Sequence, residues 1–256
     1  MCPNCRAFIT IADRVCPYCD AQLGPRAVDM RATQLVASFL PSANLTAIVI
    51  LVINVAFYLA DLALDHRLQQ VGVSFAPLIA RGQWWRLITA GFLHGGFLHI
   101  AMNSWSLFIL VTEVEQFYGT SRMIVAYVFS TITGFYCAAV FSAQSPTLGA
   151  SAAAFGLMGI MLAMGLRNRA DPLSQAVRAH YGQWLVFGLV MSFGGGISMS
   201  AHIGGLIGGF LIGLVAGRPG LPNSPREMFW KGAAAAAVLL TVYAWYSALF
   251  RTRGML

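Results

Sequence analysis

The sequence predicts an all-α polytopic membrane protein with a small metal-binding module at its N-terminus. Three observations predict it. Hydrophobic residues make up 58% of the 256-residue chain and charged residues only 10%, against about 25% charged in an ordinary globular domain. So few charges cannot coat a water-soluble surface. The charges are also clumped: residues 32–60, 87–112, 123–166, 179–217 and 232–250 contain no Asp, Glu, Lys or Arg, giving uncharged runs of 29, 26, 44, 39 and 19 residues. A bilayer crossing takes about 20 apolar residues, so the runs hold one, one, two, two and one spans, seven in all. Third, four of the five cysteines fall within the first nineteen residues.

Those cysteines form two Cys-x-x-Cys knuckles, Cys2-Pro3-Asn4-Cys5 and Cys16-Pro17-Tyr18-Cys19, separated by ten residues. Four thiolates so spaced can converge tetrahedrally on one Zn2+, and a module this short has no other evident source of stability. Two disulfides are the competing reading and fit poorly with a reducing cytoplasm. Four thiolates leave no open position for a substrate, so a zinc here is expected to be structural. Residues 1–23 resemble a small zinc ribbon with a shortened loop, of the kind that opens many bacterial membrane proteins. Residues 24–41 then read as a linker, and Cys137, alone in a span, reads as a small packing residue.

The net charge of +7 invites a nucleic-acid reading, but basic patches that track phosphates cluster on one soluble face. Here the Arg and Lys residues sit singly between apolar runs, so no nucleic-acid partner is expected. They read as orientation signals. With the N-terminus in the cytoplasm, eleven lie inside and five outside, namely Arg67, Arg81, Arg86, Arg251 and Arg253, which satisfies the positive-inside bias. The first 31 residues carry four Arg and no apolar core of useful length, so no signal peptide is expected and the first span must direct insertion.

Polar side chains inside hydrocarbon are costly, and each is a functional-site hypothesis by default. His66 and His180 are expected in charged loops. His94, His99, Asn103, Ser151 and His202 fall within uncharged runs. His99 and Asn103, four apart, share a helix face and would serve equally as interhelical hydrogen-bond glue. Ser151, shortly after Pro146, is expected in the first turn of a helix, where a cap is the plain alternative. His202 opens a helix whose Gly205, Gly209 and Gly213 line the same face, allowing a neighbouring backbone to come close.

Depth supplies a separate test. Ser151 precedes Arg167, His202 precedes Arg218, and His99 precedes Glu115, each by sixteen residues. At 1.5 Å per residue all three lie about 24 Å from the cytoplasmic boundary, several Å inside the outer face of a roughly 30 Å core. Glue residues have no reason to share a level.

With these residues in place, the sequence resembles the rhomboid family of intramembrane serine proteases. Trp85-Arg86, His94 with His99 and Asn103, Gly149-Ala150-Ser151, Ala201-His202 with its glycine stripe, and the turn Glu115-Gln116-Phe117-Tyr118-Gly119-Thr120-Ser121-Arg122 match its pattern in order and spacing. The likeness covers about residues 45–217. It implies a rhomboid-like six-helix catalytic core over 42–217, with residues 218–256 as a seventh helix and tail in a 6+1 arrangement. It further implies Ser151 as nucleophile and His202 as its general base, a dyad lacking an Asp. The oxyanion donors implied are His99, Asn103 and the Ser151 backbone N–H, with His94, Gly149 and Phe155 supporting. No cofactor is expected for catalysis. The implied setting is a bacterial inner (cell) membrane, the implied substrates single-pass membrane proteins cleaved near its outer face, and the zinc module is left with a cytoplasmic partner to find.

Two departures stand out. Ala152 follows the nucleophile where the family often has Gly, and its methyl is expected to widen the gap between the helices of Ser151 and His202. Phe155 stands where Tyr often underlies the catalytic histidine, keeping the aromatic packing and losing a hydroxyl. Hydrolysis also needs water, and the segments around Gln144-Ser145-Pro146-Thr147 and Ser192–Ser200 read as irregular backbone at a wet cavity. Residues 63–92 are expected in the outer interface, with Trp84 and Trp85 as anchors. Two rivals remain: a catalytically silent relative that binds membrane segments, against which the presence of both Ser151 and His202 speaks, and a small transporter, which would show inverted repeats that this sequence lacks.

Overall fold

A computed structural model describes residues 2, 4–8, 15–22, 42–167, 170–193, 197–221 and 223–251. The chain divides into two compact units, Met1–Leu45 and Thr46–Leu256. The expected linker 24–41 lies wholly outside the described residues, as do Gly194 to Gly196.

In the first unit the two knuckles repeat one backbone pattern. Cys2 N–H donates to Ala7 O and Arg6 N–H to Cys2 O, while Cys16 N–H donates to Ala21 O and Asp20 N–H to Cys16 O. The fifth residue of each, Arg6 and Asp20, takes a left-handed φ of 60° and 54°.

The larger unit is helical: α1 (Ser42–Ala63), three short helices α2 (Arg67–Gly72), α3 (Ala76–Ala80) and α4 (Arg86–Thr89), then α5 (Phe97–Phe141), α6 (Ser151–Arg167), α7 (Pro172–Met191), α8 (Met199–Ala216) and α9 (Pro225–Arg251). Gly119, at φ 76° and ψ 159°, breaks α5 into two helical segments; the positive φ is one that a side chain would resist. Four helices are long and apolar enough to cross a membrane, α1 from Asn44, α5, α8 and α9, and the 17-residue α6 is a shorter apolar helix. With α5 divided, the long helices number seven among the described residues, a six-helix core and one C-terminal addition.

The helix boundaries depart from the charge boundaries where polar groups find partners. Helix α7 begins before the uncharged run, because Asp171 caps it by accepting from Ser174 N–H at 2.9 Å and Pro172 occupies the first turn. Arg178 and His180 therefore lie within a helix, and His180 packs on Tyr181 and Trp184, not in a loop. The first segment of α5 runs past Glu113 and Glu115 before breaking at Gly119. Tyr181 donates to Glu113, and Thr46 and Thr120 donate to Glu115 at 2.8 and 2.5 Å.

Helices α6 and α8 make the most extensive contact, and both pack on α5. The glycine stripe is the reason. A Cβ on Gly205 would stand 2.1 Å from Ala152 O, one on Gly209 1.8 Å from Gly156 O, and one on Gly213 2.6 Å from the Ala163 Cβ. Helix α7 packs on α6. Helix α9 is fastened at the Gly119 end, where Arg122 donates to both carboxylate oxygens of Glu227 at 2.8 and 2.6 Å and to Ala216 O at 3.1 Å. Farther along, Trp245 of α9 stacks on Phe57 of α1, ring centroids 4.1 Å apart.

The connection before α5 is more deeply embedded than an interfacial segment. Trp85 is 4% exposed and donates to Val71 O at 3.1 Å, so it is a core residue and not a surface anchor; Trp84 stacks on Tyr243 instead. Arg86 is buried too, its guanidinium spent on Gln83 Oε1, Val73 O and Gln70 O, each at 2.7 Å. It works as a tie across α2 to α4 more than as an orientation signal.

Candidate active site

Residues 142–150 leave the helical conformation between α5 and α6, pinned by reciprocal backbone bonds between Ser74 and Thr147. The segment ends in Gly149, at φ 122°, whose N–H donates to Ala90 O at 2.9 Å. Only a residue without a Cβ suits this place. An added Cβ would also stand 2.6 Å from His99 Nε2 and 3.5 Å from Asn103 Nδ2. Gly149 thus brings the start of α6 against the face of α5 that carries His99 and Asn103.

Ser151 is the first residue of α6, so its N–H has no carbonyl one turn back to bond. Its hydroxyl lies 2.8 Å from His202 Nε2. His202 is buried in the first turn of α8, a helix capped by Ser198, which accepts from Ala201 N–H at 3.3 Å. The imidazole lies flat on Phe155, centroids 4.1 Å apart and planes 13° apart, and Phe155 sits one turn beyond Ser151 on α6. The other ring nitrogen, Nδ1, lies 2.6 Å from Ser192 Oγ.

The donors on α5 point into the same space. His99 Nδ1 is 3.4 Å from the Gly95 N–H; accepting there leaves the proton of a neutral ring on Nε2, the nitrogen nearest Gly149. Asn103 is 6% exposed and its Nδ2 has no hydrogen-bond partner among the described residues. A buried donor without an acceptor costs about 1–3 kcal/mol, which an arriving negative oxygen would offset. His94 is 2% exposed and stands edge-on to His99 at 5.3 Å. It borders the centre through His99.

The expected wedge at Ala152 does not occur. Its methyl points toward Gly134 of α5, where an added Cβ would come within 2.7 Å of it, while the Ala152 carbonyl faces Gly205. The second alanine methyl is accommodated by a glycine on a third helix, and α6 and α8 stay in backbone contact. Cys137, as expected, is a packing residue, lying against Gly204. Gly134 and Ser192 were invisible to sequence reasoning. No spacing rule connects either to Ser151, although Ser192 stands ten residues before His202 at the head of a Ser-Phe-Gly-Gly-Gly stretch.

A second cluster lies in the N-terminal unit. The Sγ atoms of Cys2, Cys5, Cys16 and Cys19 lie within 4.8 Å of one another, with Cys2 to Cys19 at 3.7 Å and Cys5 to Cys16 at 3.6 Å. Tetrahedral thiolate ligands about 2.3 Å from a Zn2+ would be about 3.8 Å apart, so the cluster fits such an ion. The backbone N–H of Cys5 draws the Cys2 thiol down to about 6 and that of Ala21 lowers Cys19, since a hydrogen bond to sulfur favours the thiolate, whereas the neighbouring thiols raise Cys5, so in the metal-free cluster the four do not ionise together. These four cysteines are able to hold a metal ion.

A serine hydroxyl against an imidazole, within a helical membrane protein and beside unspent N–H donors, is the arrangement of a serine hydrolase. Residues 81–219 match the family model described as the Rhomboid domain, over half of the chain, and the chain belongs to the rhomboid family, which places it among peptide hydrolases of the rhomboid type. It is 39% identical over 153 residues to rhomboid protease GluP of Bacillus subtilis (strain 168), covering 58% of this chain and 29% of that protein. It is 31% identical over 239 residues to rhomboid-like protease 1 of Toxoplasma gondii, covering 85% and 78%. A third relative, putative rhomboid protease YdcA of Bacillus subtilis, is 39% identical over 136 residues, covering 52% and 68%.

Proposed function

We propose that this protein is an intramembrane serine endopeptidase that cleaves transmembrane segments of single-pass membrane proteins near the outer face of a bacterial inner membrane, with its N-terminus in the cytoplasm. The single observation that carries the reading is the 2.8 Å contact between Ser151 Oγ and His202 Nε2. The hydroxyl is a weak nucleophile until a base takes its proton, and the imidazole can do so near neutral pH. As Ser151 attacks the scissile carbonyl, His202 accepts the proton and later passes it to the leaving amine. Negative charge on the carbonyl oxygen is met by His99 Nε2–H, Asn103 Nδ2 and the Ser151 N–H. Phe155 keeps the imidazole level, Gly149 leaves room for the donors, and His94 backs His99.

The proposed organisation is a zinc-ribbon-like module over 1–23, a linker over 24–41, the catalytic core over 42–217, and an additional helix with its tail over 218–256. Cys2, Cys5, Cys16 and Cys19 hold a structural Zn2+ that takes no part in hydrolysis, and the module faces a cytoplasmic partner. In the detergent-solubilised protein, a fluorophosphonate probe should label the wild type and not Ser151→Ala, and a model transmembrane substrate should stay intact with His202→Ala. Labelling that persists in Ser151→Ala overturns the assignment.

A further inference from the structure

His202 has two ring nitrogens, and the reaction proposed above needs the lone pair on Nε2. Nothing in a dyad of Ser151 and His202 alone determines this, because a neutral imidazole carries its proton on either nitrogen. The surroundings of Nδ1 determine it. Ser192 Oγ lies 2.6 Å from His202 Nδ1 and 2.7 Å from Gly188 O, and the residue is only 5% exposed. A hydroxyl has one proton, and a carbonyl oxygen can only accept. The Ser192 proton therefore goes to Gly188 O, its lone pairs face the imidazole, and His202 must donate from Nδ1. The Nε2 lone pair is left aimed at the Ser151 hydroxyl.

We propose that Ser192 is the positioning residue of this active site, fixing His202 in the Nδ1–H tautomer and fixing the rotation of its ring. The inference rests on His202 as the base. Three contacts then define the imidazole: Ser151 at one nitrogen, Ser192 at the other, and the Phe155 ring beneath it. When Nε2 takes the proton from Ser151, the imidazolium keeps its Nδ1–H bond to Ser192, so the charge that forms is met by an oxygen already in place. Ser192 itself is held at the end of α7, where its backbone N–H bonds to Gly188 O and Leu189 O. One turn back, Gly188 lies against Phe155, with an added Cβ only 2.8 Å from that ring. The end of α7 thus belongs to the catalytic apparatus although it carries no reacting group.

The test combines kinetics with a direct reading of the tautomer. Ser192→Ala should lower kcat by roughly 10- to 100-fold with KM little changed, as for loss of a hydrogen bond that orients a reacting group. Ser192→Thr retains the hydroxyl and should recover most of the rate. Nitrogen-15 shifts of His202, assigned by difference against His202→Ala, should show a protonated Nδ1 in the wild type and in Ser192→Thr, and a loss of that preference in Ser192→Ala. A wild-type His202 protonated at Nε2, an undiminished kcat in Ser192→Ala, or a Ser192→Thr as slow as the alanine variant would each overturn the proposal. The wild-type spectrum decides it even if Ser192→Ala fails to fold. Full activity of His202→Ala would instead remove the base assignment on which it rests, so the two failures are told apart.

Discussion

Gly205→Ala adds one methyl at the place where the helices of Ser151 and His202 touch. Gly205 lies one turn after His202 on α8, and its added Cβ would stand 2.1 Å from the carbonyl oxygen of Ala152, the residue next to Ser151. Cβ atoms essentially never approach within 3.0 Å of another heavy atom, so the backbones must separate by about 1 Å, because neither side offers a rotatable group. The Ser151 to His202 contact of 2.8 Å would then stretch to about 3.8 Å, beyond hydrogen-bond reach. A misplacement of 1 Å costs on the order of 100-fold in rate, while overpacking costs about 1–3 kcal/mol of stability. Cleavage of a model transmembrane substrate, read beside thermal unfolding in the same detergent, should show activity lost well ahead of the fold. Gly232→Ala, with nothing within 4 Å of the added Cβ, is the control and should behave as wild type. A Gly205→Ala enzyme with undiminished turnover would show that the helices yield without disturbing the dyad, and would refute the reasoning.

Three further outcomes follow from the same geometry. His99→Ala and Asn103→Ala should each lower kcat by about 100- to 1,000-fold with little change in unfolding temperature, as for single oxyanion donors; equal effects on both quantities would assign these residues to helix packing. The purified protein should carry one zinc per chain, absent from the Cys2→Ser, Cys5→Ser double variant. Because protons compete with the metal for thiolates, zinc should stay bound at neutral pH and be released on acidification, which a chromophoric chelator would follow. Glu227→Ala strips Arg122 of its buried partner and should lower the thermal midpoint by at least about 5 °C, with the residual activity per folded molecule retained.

The residues proposed to react were legible as candidates in the sequence because helical rise is fixed. Sixteen residues from a charged position mean the same depth on any helix, so Ser151, His99 and His202 could be brought to one level before any contact was known. The glycine stripe was legible for the same reason, since its three- and four-residue intervals stay on one face. What the sequence withheld depends on direction across helices. A lone Arg86 reads as a charge at a boundary, yet two carbonyls at the end of α2 receive its guanidinium, and no pattern along the chain discloses that. Ser192 lies in a serine- and glycine-rich stretch that reads as loop, and its 2.6 Å contact with His202 joins the end of one helix to the first turn of the next.

Ala152 shows most directly why the bearing of a Cβ matters more than its presence. Counted along the chain, a methyl beside the nucleophile is a wedge between two helices. In space it points to a third, where Gly134 has none, while the α6 to α8 contact is made by the Ala152 carbonyl against Gly205. The small residues of α5, α6 and α8 therefore act as one set, in which a methyl gained at 152 is matched by one missing at 134. The remaining long helices bring side chains to this set: α7 meets α6 at Phe155 against Gly188, and also through Gly165 against the α7 backbone at Ser174 and Arg178, while α9 is tied by Arg122 with Glu227 and α1 by Phe57 on Trp245. Side chains can change rotamer, and backbone contacts cannot. The three helices that hold Ser151, His202, His99 and Asn103 thus meet where an added methyl finds least room. Helix α7 matters to them as well, because its end touches the imidazole through Ser192.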